Sequence, residues 1–236
     1  MAESDPRLAP PYSMPTFAVR GPLVRWLRYE ARRAHEDFGR YRVLDVGCGV
    51  KPYQALFAGY AAEYVGVDPV DNPVADLQGS VEALPVDTAS FDVVLCNQVL
   101  EHCDDPGLGV RELRRVTAPG GRVLASTHGV MPYHPAPTDY WRWTHSGLAK
   151  LFWDNGAWGH VRVTPASGTT ACLAMVFSLY LDLALRRARI GAVARPIVTG
   201  VNRLAEALDS RFPRLFEPAQ PGTLFANFHV VAETPR

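Results

Sequence analysis

The sequence predicts an α/β fold: a seven-stranded, mostly parallel sheet with helices on both faces and a helical insertion before the last strand. Three observations carry the prediction. Short apolar runs alternate with amphipathic stretches along most of the 236 residues. The first such run enters a glycine turn, "VLDVGCGVKPY", at residues 43–53. Residues 171–221 separate the last two strand-like runs with helix-like sequence that a minimal sheet does not need.

The elements follow in order. Leu23, Trp26, Leu27, Ala31, Ala34 and Phe38 recur at helical spacing, which predicts an amphipathic helix opening near Pro22 and ending before Gly39. Apolar runs then predict strands at 42–46, 63–67, 74–78, 91–96 and 122–127. Between the last two lies a helix over 105–117, with Asp104 or Asp105 as its cap, Leu113 and Val116 facing inward, and Pro119-Gly120-Gly121 ending it. A helix over 146–153 with Thr144 as cap, a strand near 160–164 and a last strand over 225–232 complete the sheet. Residues 1–16 are expected to lack regular structure. The chain thus divides into an N-terminal segment and helix (1–40), a core (41–170), the insertion (171–221) and the last core strand (222–236).

Composition narrows the class of partner. Lys and Arg balance Asp and Glu at 24 each, so no global field draws the chain to nucleic acid or to anionic lipid. Cys48, Cys96, Cys103 and Cys172 show no C-x-x-C spacing, and no basic start followed by an apolar stretch reads as a secretory leader. A reducing, cytoplasmic setting is expected. The insertion opens with "ACLAMVFSLYLDLALRRARI", whose apolar run is broken by Ser178 and Asp182 and falls short of the roughly 20 residues that span a bilayer. It reads as a buried or dimer-forming helix, or as a helix lying on a membrane surface with Arg186, Arg187 and Arg189 at its edge.

The glycine turn carries the chemistry. A strand running into Gly47-Cys48-Gly49 and then a helix presents backbone N–H groups at the carboxyl end of a parallel strand, where open α/β sheets bind ligands. Asp68, ending "YVGVD", is placed to accept both hydroxyls of a ribose. An adenosine compound follows. Dinucleotide turns need a third glycine for close packing around a pyrophosphate; here Pro52 stands in that place. A sulfonium donor has no pyrophosphate, and Asp45 suits its ammonium group through a charge-assisted bond, direct or through water.

The segments "VLDVGCGVKPY", "YVGVDP", "SVEALPVDTASFDVVLCNQVLEH" and "ELRRVTAPGGRVLAST" resemble, in order, the motifs of the class I S-adenosylmethionine-dependent methyltransferases, with the type 11 group nearest. The resemblance covers residues 41–128 and implies a Rossmann-like fold and S-adenosylmethionine as cofactor. It implies that Gly47, Cys48 and Gly49 line the methionine end, that Asp68 holds the ribose and Pro69 flanks the adenine. Val81 and Glu82 would lie along the adenine edge, and Asn97 would close the pocket. Ser80 departs from the family's usual aspartate, so the contact to the adenine amino group passes to backbone or is lost. Glu101 and His102 in "VLEH" match a family pattern at the start of the helix beneath the donor.

The loop "THGVMPYHPAPTDYWRWT" follows the fifth strand and reads as the wall of the acceptor site. Methyl transfer to oxygen requires removal of a proton from a weak nucleophile, and histidine is the natural base. The candidates are His128, His134 and His145; His134, with Asp139 five residues on to orient it, comes first, followed by transfer without a protein base and then by His128. Tyr140, Trp141, Arg142 and Trp143 offer aromatic faces and a cation to a sugar ring or a planar acidic acceptor. The run "H-P-x-P-x-D-Y-W-R" resembles, more loosely, methyltransferases of saccharides and glycoconjugates. No cluster has the spacing of a required metal site, although a divalent ion could bind His134 and Asp139.

The expected function is transfer of a methyl group from S-adenosylmethionine to a hydroxyl of a small saccharide, glycan or glycosylated metabolite. The rivals are a polyketide or phenolic acceptor, a donor-binding protein without catalysis, and a nicotinamide-dependent oxidoreductase.

Overall fold

The computed structural model describes residues 6–135, 137–213 and 222–236. Helix α1 (Phe17–Phe38) leads into β1 (Tyr41–Val46), a single helical turn α2 (Gln54–Phe57), β2 (Ala61–Asp68), the short β3 (Leu77–Gln78) and β4 (Phe91–Asn97). Then come α3 (Pro106–Val116), β5 (Thr117–His128), α4 (His145–Asp154), β6 (His160–Pro165), α5 (Thr169–Arg187), α6 (Ala194–Arg211) and β7 (Asn227–Glu233). The strands form one sheet in the order β3-β2-β1-β4-β5-β7-β6. Strands β3, β2, β1, β4 and β5 run parallel, while β7 pairs antiparallel with both β5 and β6. The order reverses between β1 and β4, the switch point at which such sheets open a ligand crevice.

Both faces of the sheet are covered, and the two-residue period of the central strands shows how. Leu44 and Val46 of β1, Val94 and Cys96 of β4, and Val123 and Ala125 of β5 point to the side of α3 and α4. Val43, Val93, Leu95 and Leu124 point to the side of α1. Asp45 shares the parity of Val43, so it leaves the sheet on the α1 side.

Several expected boundaries move for physical reasons. Helix α1 starts at Phe17, with Pro22 inside it, because Ala18 and Val19 pack against Ala171, Cys172, Met175 and Ala205 of α5 and α6. That contact is invisible to a periodicity counted from Gly21. Strand β3 shrinks to two residues, since the Asp76 carboxylate turns inward to accept the Gly66 N–H at 2.6 Å and pairs with Lys51 at 2.5 Å. The helix expected after the glycine turn is only α2, so no long helix points its N-terminus at the crevice. Asp105 caps α3 by accepting the Leu108 N–H at 2.9 Å, and Thr144 caps α4 through Gly147 N–H at 3.0 Å.

Helices α5 and α6 lie between β6 and β7; residues 214–221 of the expected insertion, and 1–5 of the N-terminal segment, fall outside the described residues. At 19 residues α5 is longer than its apolar run suggested, and by length and composition it could cross a membrane. One side of it packs inward through Cys172, Met175 and Ser178; the other exposes Leu173, Phe177, Tyr180 and Leu183.

Candidate active site

The crevice above the β1/β4 switch holds a cavity of about 590 Å³. Gly47 forms one wall in the left-handed region (φ 68°), and a Cβ there would lie 2.4 Å from a Val99 methyl carbon, so both the turn and the close approach demand glycine. Asp68, Pro69 and Val70 at the end of β2, Ser80, Val81 and Glu82, and Gln98 and Val99 after β4 complete its sides. Asp68 is 7% exposed and is already oriented by backbone donors: Gly49 N–H at 2.8 Å to one oxygen and Val70 N–H at 3.3 Å to the other. Glu82 accepts the Asp105 N–H at 2.6 Å, tying this wall to the cap of α3.

Of the residues assigned to the donor from sequence, Gly47, Asp68, Pro69, Val81 and Glu82 line this cavity. Asp45, Cys48, Gly49 and Asn97 do not. The parity of β1 carries Asp45 beneath the turn, where its carboxylate accepts from Tyr64 Oη at 2.7 Å and burial pushes it up to about 7. A direct bond from Asp45 to an ammonium group has no geometry to support it. The Cys48 thiol packs toward Gly66 of β2, with burial pushing it up to about 11. Gly49 contributes through its N–H on Asp68. The Asn97 amide is buried without a hydrogen-bond partner among the described residues. Its neighbour Gln98, at φ 59°, takes the pocket position, with its amide on Ser126 Oγ (3.0 Å) and Asn227 Oδ1 (3.1 Å).

A second cavity of about 330 Å³ adjoins the first, and the two share Gln98 and His102. Its lining is mixed: Thr16, Arg20, Glu101, His102, His128 and His134 supply polar groups, and Val19, Leu23, Tyr53 and Met131 supply an apolar side. Glu101 follows the carboxyl end of β4 and His128 is the last residue of β5, paired strands whose register sets Asn97 opposite Ser126. His128 Nε2 lies 3.2 Å from Glu101 Oε1, and the other Glu101 oxygen accepts from Thr127 Oγ1 at 2.7 Å. Glu101 is fully buried; desolvation lifts its carboxyl to about 7 and pushes His128 down to about 3. A buried acid that ionises near neutrality beside a neutral imidazole is suited to proton transfer.

The pairing of His134 with Asp139 needs correction. Arg142 takes both carboxylate oxygens of Asp139, at 2.5 and 2.6 Å, which holds that carboxyl at about 2. The His134 backbone N–H bonds Asp139 at 3.2 Å, whereas the ring Nε2 stays 3.9 Å away, beyond a hydrogen bond. The aromatic-cationic run does not line this second cavity; Arg142 and Trp143 line a separate one of about 430 Å³ and also tie the loop together. Arg142 also bonds the carbonyls of Met131 (3.0 Å) and Pro132 (3.2 Å). Trp141 donates its indole N–H to Cys103 O at 2.7 Å and stacks on Trp143, and the backbone N–H groups of Tyr140 and Trp141 both reach Glu101 O. Sequence reading flagged Glu101 only as part of a motif. The missed signal was its position: Glu101 just past the end of β4 and His128 as the last residue of the neighbouring parallel strand β5.

Residues 44–125 match the family model of the methyltransferase domain, Methyltransf_11. The malonyl-[acyl-carrier protein] O-methyltransferase of Erwinia pyrifoliae is 40% identical over 96 residues, covering 36% of this chain and 37% of that one. The ubiquinone biosynthesis O-methyltransferase of Proteus mirabilis is 37% identical over 116 residues, covering 43% and 47%. The matched stretch thus spans less than half of either relative. Among solved structures, the YcgJ protein of Bacillus subtilis superimposes with a TM-score of 0.52 at 20% identity over 89% of this chain and 98% of its own. The [4+2]-cyclase SpnF does so with 0.54 at 18% identity, over 88% and 81%. At such identities the likeness establishes the Rossmann-like fold alone.

Proposed function

We propose, from the match of residues 44–125 to the methyltransferase-domain model, that the chain transfers a methyl group from S-adenosylmethionine to a hydroxyl of a small acceptor. The observation that carries this reading is the pair of adjoining cavities. One has a glycine wall and an oriented carboxylate, and the other holds a buried acid-imidazole pair. Asp68 would accept the ribose hydroxyls, and Val81 would flank the adenine beside Ser80. Cys48, Gly49 and Asn97 act by shaping the turn and strand end.

In the transfer, the acceptor oxygen attacks the methyl carbon in line with the departing sulfur. The carbon–sulfur bond breaks as the carbon–oxygen bond forms, leaving S-adenosylhomocysteine. The hydroxyl proton passes to the Glu101–His128 pair, and alignment of the two cavities supplies proximity. His128 therefore serves in the base and His134 does not.

The cluster of Arg20, Glu101, His128 and His134 in the second cavity supports an acceptor rich in hydroxyls, a saccharide or glycosylated metabolite, while the apolar side formed by Val19, Leu23 and Met131 keeps a phenolic or polyketide acceptor as the second reading. The buried free thiols Cys48, Cys96, Cys103 and Cys172 accord with a reducing, cytoplasmic setting. The exposed face of α5, beside Arg186 and Arg187, is the candidate contact for a second copy or for a membrane surface. Gel filtration and flotation with anionic vesicles separate those two.

The test of the function is a panel of saccharides and phenols incubated with methyl-labelled S-adenosylmethionine and read by mass spectrometry. Labelled products among the saccharides are expected. Tight binding of S-adenosylhomocysteine with no labelled product would indicate a donor-binding protein without catalysis.

A further inference from the structure

On the acceptor side of the same site, and resting on that functional reading only for its role, we propose a divalent-cation site formed by His102, His134 and Asp139. One ligand atom from each of the three lies within 4.8 Å of the others. They come from separate places: His102 from the turn Leu100–His102 after β4, the other two from the loop after β5. Each is already held in a ligating state by its surroundings. His102 Nδ1 meets Thr138 O at 2.8 Å; a carbonyl can only accept, so the proton sits on Nδ1 and the Nε2 lone pair is left for a metal. The two oxygens of Asp139 differ. Oδ2 accepts from both Arg142 and the His134 N–H, whereas Oδ1 accepts from Arg142 alone among the described residues. Oδ1 therefore keeps a lone pair on the side from which His134 Nε2 approaches at 3.9 Å. The His102 and His134 rings stand 5.2 Å apart, edge to face.

Two imidazoles and one carboxylate suit a first-row divalent ion such as Zn²⁺, Mn²⁺ or Co²⁺ better than Mg²⁺ or Ca²⁺. Three protein ligands leave coordination positions open, and two of the ligand residues line the second cavity. An acceptor with two adjacent oxygens could bind there, its hydroxyl made more acidic by the ion before the proton leaves. Arg142 shares the charge of Asp139, which makes the site weaker than a closed structural zinc site. Loop and turn are also bonded to each other through Glu101 O, so the ion would lock an arrangement the backbone already holds.

The experiment uses the whole purified chain stripped with EDTA and titrated with Co²⁺, read by visible absorption, with Zn²⁺ as competitor and Mg²⁺ as control. One saturable site displaced by Zn²⁺ is expected. His134→Ala and Asp139→Asn should each weaken it roughly 10- to 10²-fold, while His145→Ala, whose ring bonds Val163 O at 3.0 Å, should leave it unchanged. Binding of S-adenosylhomocysteine by each variant reports that it remains folded, and His134→Ala decides if Asp139→Asn does not fold. Absence of a saturable site in the unmodified chain up to millimolar Co²⁺, or binding untouched by His134→Ala, overturns the proposal. Because the readout is absorption and not turnover, that failure is distinct from failure of the methyl-transfer reading.

Discussion

The donor and acceptor sides of the crevice are made in different ways. On the donor side the recognition surface is mostly backbone and strand end: Gly47 in the left-handed region, the Gly49 N–H on Asp68, and Pro69 and Val81 at fixed distances along the chain. On the acceptor side the surface is side chains brought from far apart. Arg20 comes from α1, Glu101 and His102 from the turn after β4, His128 from the end of β5, and His134 from the loop beyond it. A surface built from backbone is written in short, ordered motifs. A surface built from convergence is written in the topology.

Four changes would break or sharpen that contrast. The largest effect is expected from Glu101→Gln, which keeps the shape but removes the ionisable group. Turnover should fall about 10²- to 10⁴-fold while S-adenosylhomocysteine affinity, measured by calorimetry, stays within about twofold. A variant that turned over normally would remove Glu101 from the chemistry.

Asp68→Ala comes next and should do the opposite. Loss of hydrogen bonds to a charged group costs about 1.5–3 kcal/mol, roughly 10- to 10²-fold in donor affinity, with the pH profile unmoved.

The pH profile itself is the third. Glu101 must be ionised to take a proton, so kcat/KM should rise about tenfold per pH unit below about 7 and level off above it, and the inflection should vanish in Glu101→Gln. The same shift has a sign for stability. The folded chain keeps the Glu101 proton up to about 7, the unfolded chain only to about 4.5, so this group's stabilising contribution is full below the lower value and is lost as pH climbs to the upper one. Thermal melts of unmodified chain and Glu101→Gln across that window measure it.

The smallest effect belongs to Trp141→Phe. It removes one hydrogen bond, to Cys103 O, worth about 1 kcal/mol, and should raise the acceptor KM a few-fold with donor affinity unaltered.

The same contrast explains what could be read from the residues in advance. The sheet was legible because Val43, Leu44, Val94 and Leu95 are buried on both sides of the sheet, and short continuous apolar runs of that kind announce themselves. The donor turn was legible because positive φ and close approach leave glycine as the only tolerable residue. Asp45 stays outside the donor cavity because parity, and not adjacency to the turn, decides which way a strand residue points. His134 and Asp139 were paired by nearness in sequence, but an arginine three residues after the aspartate reached it with two good bonds and outcompeted a ring held at 3.9 Å. The Glu101–His128 pair required knowing that β4 lies beside β5. Nothing local to either residue carries that information.

Strand β7 has a consequence for how the molecule comes into being. It fills the slot between β5 and β6, and β6 touches the sheet through β7 alone. On a ribosome, everything through α6 emerges while that slot is still vacant, leaving two open strand edges able to recruit a stranger. Assembly of the far end of the sheet must therefore wait for Asn227–Glu233 to leave the exit tunnel.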